Sequence, residues 1–531
     1  MQISDVQHKP FSKIRNFLWP IHHFELKKLV PMFVLFFLIS FVYNLLRCLK
    51  ITLITKAEGS STVVLPFLKI GAVLPGALLL TYIFTLLISR FSRAQVFYTI
   101  LTGFLVYFAL FLFVLYPNHH ALQLDTVANW LQIHVFTGQG STGFIAAIRH
   151  LNLTVFYVLS EMWSAVVLSM LFWGFANEVT KVDEAKRFYA IFALGANFSG
   201  IFSGEFAQLI EMIPYVPMLP FDEHNQWIFF QLCSVLFIGG VIIALFYWLN
   251  KNVFHLENIQ SKQMPKKSKK LSLTECFSYL AKSRYLTYMV IIVIGYNIVY
   301  NLADVMWTYR VEQVYQDSKD FNAYMNRITT ITGFIAVIFA FVISGNVIRR
   351  FGWTVAALIT PLIWFLTSIG FFSGLVLEKT IVFDIIGTFV SNPANLVLML
   401  GSMQICFGRG CKYTVFDEAK EIAFIPLPKD SQRKGKAIVD GLASRFGKSG
   451  GSLIYLMLFG LVGNMTNVIP YVSVIIFVAL AAWVYAVIKL GAIVDKAISN
   501  GDIHLTIEEE EIIHEEHRKK RDIGEAVPQA N

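Results

Sequence analysis

The sequence predicts an all-α, polytopic membrane protein of about twelve transmembrane helices in two six-helix halves. Three observations carry that prediction. Of the 531 residues, 56% are hydrophobic and only 15% charged, whereas a soluble domain carries about a quarter charged residues. Apolar runs of roughly 20 residues, the length a helix needs to cross a bilayer, recur along nearly the whole chain. Lys and Arg gather in alternate short loops, the pattern of loops kept on the cytoplasmic side. Together these exclude a set of soluble domains.

In chain order the apolar segments lie near 29–49, 62–88, 95–116, 151–177, 188–211 and 226–249, then 285–309, 328–348, 353–375, 380–401, 403–426 and 449–489. The last is long enough for two helices, with Gly463-Asn464-Met465-Thr466-Asn467 as the turn. Segment 403–426 contains Arg409, Lys412, Asp417 and Glu421. It is too polar to face lipid, so it packs inside the bundle, lines a cavity or emerges at the surface. If it is not a separate crossing, the count is six plus six. The expected organisation is an N-terminal segment 1–28, a bundle 29–250, a linker 251–284, a second bundle 285–492 and a charged tail 493–531. The first 28 residues are polar and basic, unlike a cleavable signal peptide.

Orientation follows from the basic loops. The N-terminus, the turn Arg90 to Arg93, the loop Lys181 to Arg187, the linker, Arg349-Arg350 and the stretch Arg433 to Lys448 are all basic; the linker holds eight Lys or Arg against two Glu. Loop 211–226 has Glu211, Asp222 and Glu223 with no Lys or Arg, and 463–467 has no charge. Both termini are therefore expected in the cytoplasm. The net charge of +9 reads as topology, and no nucleic-acid partner is expected. The five Cys show no paired or metal spacing, so neither a metal nor a cofactor is expected.

Three internal matches support the six-plus-six division, two at offsets of 253 and 260 residues and a third, at 234, that needs an insertion or deletion. Tyr43-Asn44 answers Tyr296-Asn297, Ile88-Ser89-Arg90-Phe91 answers Ile348-Arg349-Arg350-Phe351, and Asp183-Glu184-Ala185-Lys186 answers Asp417-Glu418-Ala419-Lys420. Parallel repeats joined by a basic linker are the layout of major-facilitator-type carriers, whose site lies between the halves near the midplane.

Ionisable groups inside apolar spans are the informative ones, because each costs roughly 2.5–3.5 kcal/mol to insert. They are Arg47 and Lys50 in the first span, Glu161 in the fourth, Glu205 in the fifth, Asp304 and Arg310 in the seventh, Lys412 and Asp417 in 403–426, and Arg445 and Lys448 beside the last Gly-rich helix. Cations from several helices suit an anion of several charges, phosphates above all. Their competing role is to pair with one another and hold the halves together. Asn177, Asn197, Asn297 and Asn301 are candidate hydrogen-bonding groups, and Trp163, Trp173 and Trp307 are read first as packing aromatics. Gly447-Lys448-Ser449-Gly450-Gly451 is not a P-loop: five residues separate Gly441 from Gly447 where the motif needs four, and no strand precedes it. These glycines, like Gly200 and Gly204, fit close helix contact. A membrane enzyme acting on a phosphorylated lipid or sugar would need an acid/base or metal constellation at one membrane face, which the sequence lacks.

Phe172-Trp173-Gly174-Phe175-Ala176-Asn177 with Glu184-Ala185-Lys186-Arg187-Phe188-Tyr189, Lys420-Glu421-Ile422-Ala423-Phe424-Ile425-Pro426-Leu427, and Gly435-Lys436-Ala437 through Gly451 resemble the ATP/ADP translocase family of chlamydiae, rickettsiae and plastids. The resemblance runs from about Phe11 to Ala492. It implies twelve helices, nucleotide transport, and important charged positions at Lys50, Glu161, Asp304 and Lys448. Two departures stand out. The family's first-helix pattern Arg-Asp-x-Lys-Asp is here Arg47-Cys48-Leu49-Lys50-Ile51, and the Glu of the seventh helix is Asp304. Tyr324 to Gly333, with Ser203-Gly204-Glu205, is instead similar to chlamydial paralogues that take up nucleoside triphosphates with protons. The expectation is therefore a monomeric, proton-coupled importer of nucleotides (ATP, GTP, UTP, CTP or NAD) in a bacterial inner membrane. Its substrate would contact Arg47, Lys50, Glu161, Asn177, Asp304, Lys412, Arg445 and Lys448, and its proton Glu205 or, second, Glu161. Exchange of ATP or NAD for ADP is the alternative.

Overall fold

The structure, a computed structural model, describes residues 22–180, 182–219, 221–254, 283–342, 346–378, 380, 388 and 392–500. Most of the N-terminal segment, the linker and the tail lie outside the described residues. The first half contains α1 (Leu26–Thr55), α2 (Val64–Arg90), α3 (Arg93–Leu115), α4 (Leu151–Val179), α5 (Val182–Glu211) and α6 (Gln226–Leu249). The second contains α7 (Arg284–Val314), α8 (Ser318–Val342), α9 (Asn346–Leu377), α10 (393–423), α11 (429–462) and α12 (Met465–Asn500). Nine described helices are long and apolar enough to cross a membrane on those grounds alone. The remaining long ones are α5, α10 and α11; like several of the nine they bury polar groups, Ser199 and Ser203, then Ser402, Gln404 and Arg409, then Ser452.

That polarity explains where the helices depart from the apolar runs. Within the described residues, the end of the run near 380–401 and most of 403–426 are continuous. One helix, α10, opens at Pro393, with the side chain of Asn392 accepting from the amide of Asn395 at 3.1 Å, and continues to Ala423. Its Arg409 faces protein and is only 6% exposed. Helix α8 likewise starts at Ser318, ahead of its apolar run, because Asn322, Asn326, Thr329 and Thr330 are buried against other helices. The turn expected near 463 is present: Gly463 ends α11 with φ of 90°, a backbone region that favours glycine. Two short helices, Asp125–His134 and Thr142–Arg149, fill the α3–α4 connection and were not anticipated.

Of the internal matches, Tyr43-Asn44 and Tyr296-Asn297 lie in the first helix of each half, and the Arg-Phe pairs lie at the junction of second and third helices. The third match is not equivalent, since one copy opens α5 and the other lies in the last turns of α10.

The halves meet along α5 with α8 and along α2 with α11. Glycine makes the first contact close. A Cβ added at Gly204 would stand 2.6 Å from the carbonyl of Asn326, and one at Gly333 would stand 2.8 Å from that of Asn197. Gly447 and Gly451 serve α11 in the same way, facing Asn297 and Asn301 of α7; the Gly-Lys-Ser-Gly-Gly run is thus helical and packed.

Polar contacts between the halves gather at one end of the bundle. There Lys56 donates to the carbonyls of Glu312 (3.2 Å) and Tyr315 (2.6 Å), and the amide of Thr62 donates to the Glu312 carboxylate at 2.8 Å. Thr52 donates to Asn322 (3.3 Å), Asn322 to Glu211 (3.0 Å), and His224 pairs with Asp317. A cavity of about 370 Å³ remains at this end, walled by His119, His150 and His224 from one half and Gln316 and Asp317 from the other. Burial pushes the His119 and His150 imidazoles down from their ordinary range, against the opposing pull of hydrogen bonds to carbonyls.

Gly204→Leu should force α5 off α8, an overpacking worth about 1–3 kcal/mol, and lower the melting temperature of the purified protein. Gly240→Leu, where an added Cβ meets nothing within 4 Å, should leave it unchanged. Equal melting of the two variants would refute the close contact.

Candidate functional site

Midway along the bundle, charged side chains from both halves converge. Helix α1 supplies Arg47 and Lys50, α4 supplies Glu161, and α2 supplies Lys69 at the start of a π-turn, Lys69–Val73. Helix α7 supplies Tyr300, Asn301, Asp304 and Trp307, all on neighbouring turns, and α10 supplies Arg409. Three further π-turns, Trp163–Phe172, Lys412–Phe416 and Ala437–Ala443, follow Glu161, follow Arg409 and precede Lys448. A π-turn adds a residue to the helical turn and re-aims what flanks it, which is why such turns accompany functional positions.

Lys50 is only 2% exposed, forms an ion pair with the Glu161 carboxylate, and lies 4.9 Å from the centre of the Tyr157 ring. Asp304 takes a hydrogen bond from Arg409 Nη2 at 2.6 Å on one oxygen, while Lys69 Nζ stands 3.8 Å from the other. Arg409 Nε donates to the Tyr300 hydroxyl at 3.1 Å, and its guanidinium lies over the rings of Tyr300 and Trp307 at 5.6 and 5.8 Å. Trp307 is held in turn by donating to Ser402 at 3.0 Å. Asn301 Nδ2 donates to the carbonyl of Lys448 at 3.0 Å, fixing α11 against α7. Arg47 reaches across the halves to Thr329 at 3.2 Å.

Five of the expected residues, Arg47, Lys50, Glu161, Asp304 and Lys448, thus belong to one neighbourhood. Lys412 lies one turn past Arg409, 3.7 Å from Asp417, and Arg445 is exposed one turn before Lys448 on α11. Asn177 lies elsewhere: it accepts a 2.5 Å hydrogen bond from Tyr189 and ties the α4–α5 turn. Glu205 also lies elsewhere. It was expected inside the bundle because it interrupts an apolar span, but its side chain is exposed on a stripe of α5 shared with Phe198, Phe202 and Leu209. Arg310 is structural, binding Glu378 at 2.7 Å within its own half. Trp163 donates to the carbonyl of Ile39 at 3.1 Å and Trp173 packs edge-on against Tyr189, so both are packing residues.

The sequence reading passed over Lys69 and Arg409 as site residues. The signal was present for both. Lys69 is the one charged residue of segment 62–88, and Arg409 helped make 403–426 too polar for lipid. Counting these two with Lys50, three cations meet the carboxylates of Glu161 and Asp304. Such a surplus in a partly dry site attracts a polyanion far more strongly than the same charges do in water. Among the described residues no group of His, Cys, Asp and Glu is arranged to hold a metal ion.

A family model described as TLC ATP/ADP transporter matches residues 4–493. ADP,ATP carrier protein 1 of Chlamydia pneumoniae is 38% identical over 92% of this chain and 95% of its own length. ADP,ATP carrier protein 2 of the same organism is also 38% identical, over 92% of this chain and 93% of its own length, so identity does not set the chain nearer to either. A crystal structure of a point mutant of the nucleoside transporter NupG aligns over 86% of this chain and 99% of its own, with a TM-score of 0.50 at 13% identity, a likeness of fold.

The Lys50–Glu161 pair is unequal, because Lys50 is nearly inaccessible whereas the Glu161 side chain is 39% exposed. Glu161→Gln strands a buried ammonium, and Lys50→Gln frees a carboxylate that water can reach. The first should destabilise by about 2–3 kcal/mol and the second by about 1 or less, read as thermal melting in detergent. The double variant should melt above Glu161→Gln alone; melting below it would mean that the two groups do not interact.

Proposed function

The chain belongs to the TLC ATP/ADP transporter family, and we propose that it imports nucleotides by alternating access, as a proton-coupled carrier of nucleoside triphosphates. The observation that carries this reading is the cluster of Lys50, Lys69 and Arg409 between the halves. Point-charge ammonium groups and a forked guanidinium are the usual partners of a phosphate chain. With both termini in the cytoplasm of a bacterium and the chain in its inner membrane, the end shut by Lys56, Glu312 and Asp317 faces outward, and the site opens inward.

The Lys50–Glu161 pair supplies a step. An entering phosphate oxygen competes for the Lys50 ammonium. Once that ammonium turns to phosphate, Glu161 is a carboxylate without its cation beside the negative charge of the substrate, and that like charge favours its neutral form. A proton taken up at Glu161 offsets one substrate charge. The offset matters because moving one charge through 100 mV takes about 2.3 kcal/mol, so a tetra-anion entering against an inside-negative potential costs roughly 9. Glu205, on the outer stripe of α5, is not used.

The family's description names ATP and ADP, which favours exchange as the second reading. Exchange of ATP for ADP would leave about one charge to move per cycle.

Uptake of labelled ATP, GTP, UTP, CTP and NAD into bacteria expressing the chain, with and without a protonophore, separates the two. Net import should collapse with the protonophore, and preloaded label should stay inside when cold nucleotide is added outside. Protonophore-insensitive uptake with rapid release of preloaded label would establish an exchanger. Glu161→Gln should abolish the pH dependence of net uptake, and a retained dependence would remove Glu161 from the coupling.

A further inference from the structure

We infer that Lys69 and Arg409 together seat the terminal phosphate of the nucleotide, and that Asp304 occupies this seat in the empty carrier. The inference rests on the nucleotide-carrier reading and adds two residues to it, one from each half.

Arg409 is 6% exposed, yet its Nη1 makes no hydrogen bond among the described residues, while Nε and Nη2 are engaged by Tyr300 and Asp304. Buried donors in folded proteins are paired in the great majority of cases, so an orphan donor marks a place where another acceptor belongs. The acceptor must be anionic and able to lie against a guanidinium fork. Asp304 already shows how: it presents one oxygen to Arg409 at 2.6 Å and the other toward Lys69 at 3.8 Å. A terminal phosphate has three oxygens to offer where the carboxylate has two, enough to fill Nη1 as well. The rings of Tyr300 and Trp307 beside the guanidinium keep the exchange out of bulk water, and charge-assisted hydrogen bonds are stronger in that drier setting.

A permanent strut between the halves is the competing account of these residues, and the distances speak against it. The contact from Lys69 to Asp304 is the only part of this triad that crosses the halves, and at 3.8 Å it is an ion pair without a hydrogen bond. The tight bond, Arg409 to Asp304, lies within the second half. Asp304 therefore holds its arginine ready and engages the opposite half only loosely. A phosphate in its place would draw Lys69 and Arg409 together, and so pull α2 toward α10.

The test is binding to the purified full chain in detergent, by competition among ATP, ADP, AMP and inorganic triphosphate. Wild type should hold ATP at least about tenfold more tightly than AMP, the worth of one or two charge-assisted hydrogen bonds. Lys69→Gln and Arg409→Gln should each bring that ratio to about threefold or less, the loss of affinity falling more heavily on ATP than on AMP. Arg409→Lys, which keeps the charge and loses the fork, should fall between. Asp304→Asn should bind inorganic triphosphate more tightly than wild type, because the internal competitor is gone; a strut would predict no gain. If Arg409→Gln does not yield folded protein, Arg409→Gln with Asp304→Asn removes both charges and takes its place. Folded variants that keep the wild-type ratio of ATP to AMP would overturn the seat, as would a wild type that binds nucleotides without preferring ATP. A wild type that binds none of these nucleotides would overturn the carrier reading itself.

Discussion

A charge taken out of water must be met by an opposite charge or be lost, and the middle of this bundle is arranged around that constraint. Lys50 and Arg409 are almost wholly enclosed, and each is met by a carboxylate, Glu161 and Asp304. The pairing does not saturate the site. Lys69 is held loosely, and one edge of Arg409 has no partner among the described residues. A site with more cation than anion is stable enough to fold, because each buried cation has an acid, and attractive enough to bind, because the acids do not exhaust the cations. The same balance means that a bound polyanion must release acids from their partners.

The rest of the fold holds these groups at that separation. Close approach of α5 to α8 through Gly200, Gly204 and Gly333 brings the halves together on one side, and α2 meets α11 on the other. Glycines on α11 let it lie directly on α7, so that Asn301 reaches the backbone at Lys448. Hydrogen bonds through Lys56, Glu312, Asn322 and Glu211 shut one end. These last contacts are hydrogen bonds of modest strength, which suits contacts that must break and reform in each cycle.

Much of this was legible in the chain. The six-plus-six count, the Gly463 turn and the close glycine contacts follow from segment length, turn chemistry and side-chain size, which are local properties. So does the gathering of Arg47, Lys50, Glu161, Asp304 and Lys448, since an ionisable group in an apolar span has few places to go. The same rule misled at Glu205. It assumes that such a group turns inward, whereas Glu205 follows the helical stripe of Phe198, Phe202 and Leu209 to the outer surface. Asn177 fitted the chemistry of a ligand group but is taken by Tyr189, a neighbour across a turn that composition does not reveal.

What the sequence by itself determined is the class of the protein and the inventory of its midmembrane charges, because hydrophobicity, length and the cost of burying a charge are properties of each segment alone. Which charges meet was decided only by the tertiary structure. Lys69 and Arg409 lie 340 residues apart and face the same carboxylate because a π-turn in α2 and the single long helix α10 place them there. Helical rotation and packing between distant segments set that encounter, and neither is written in any stretch of sequence short enough to read on its own.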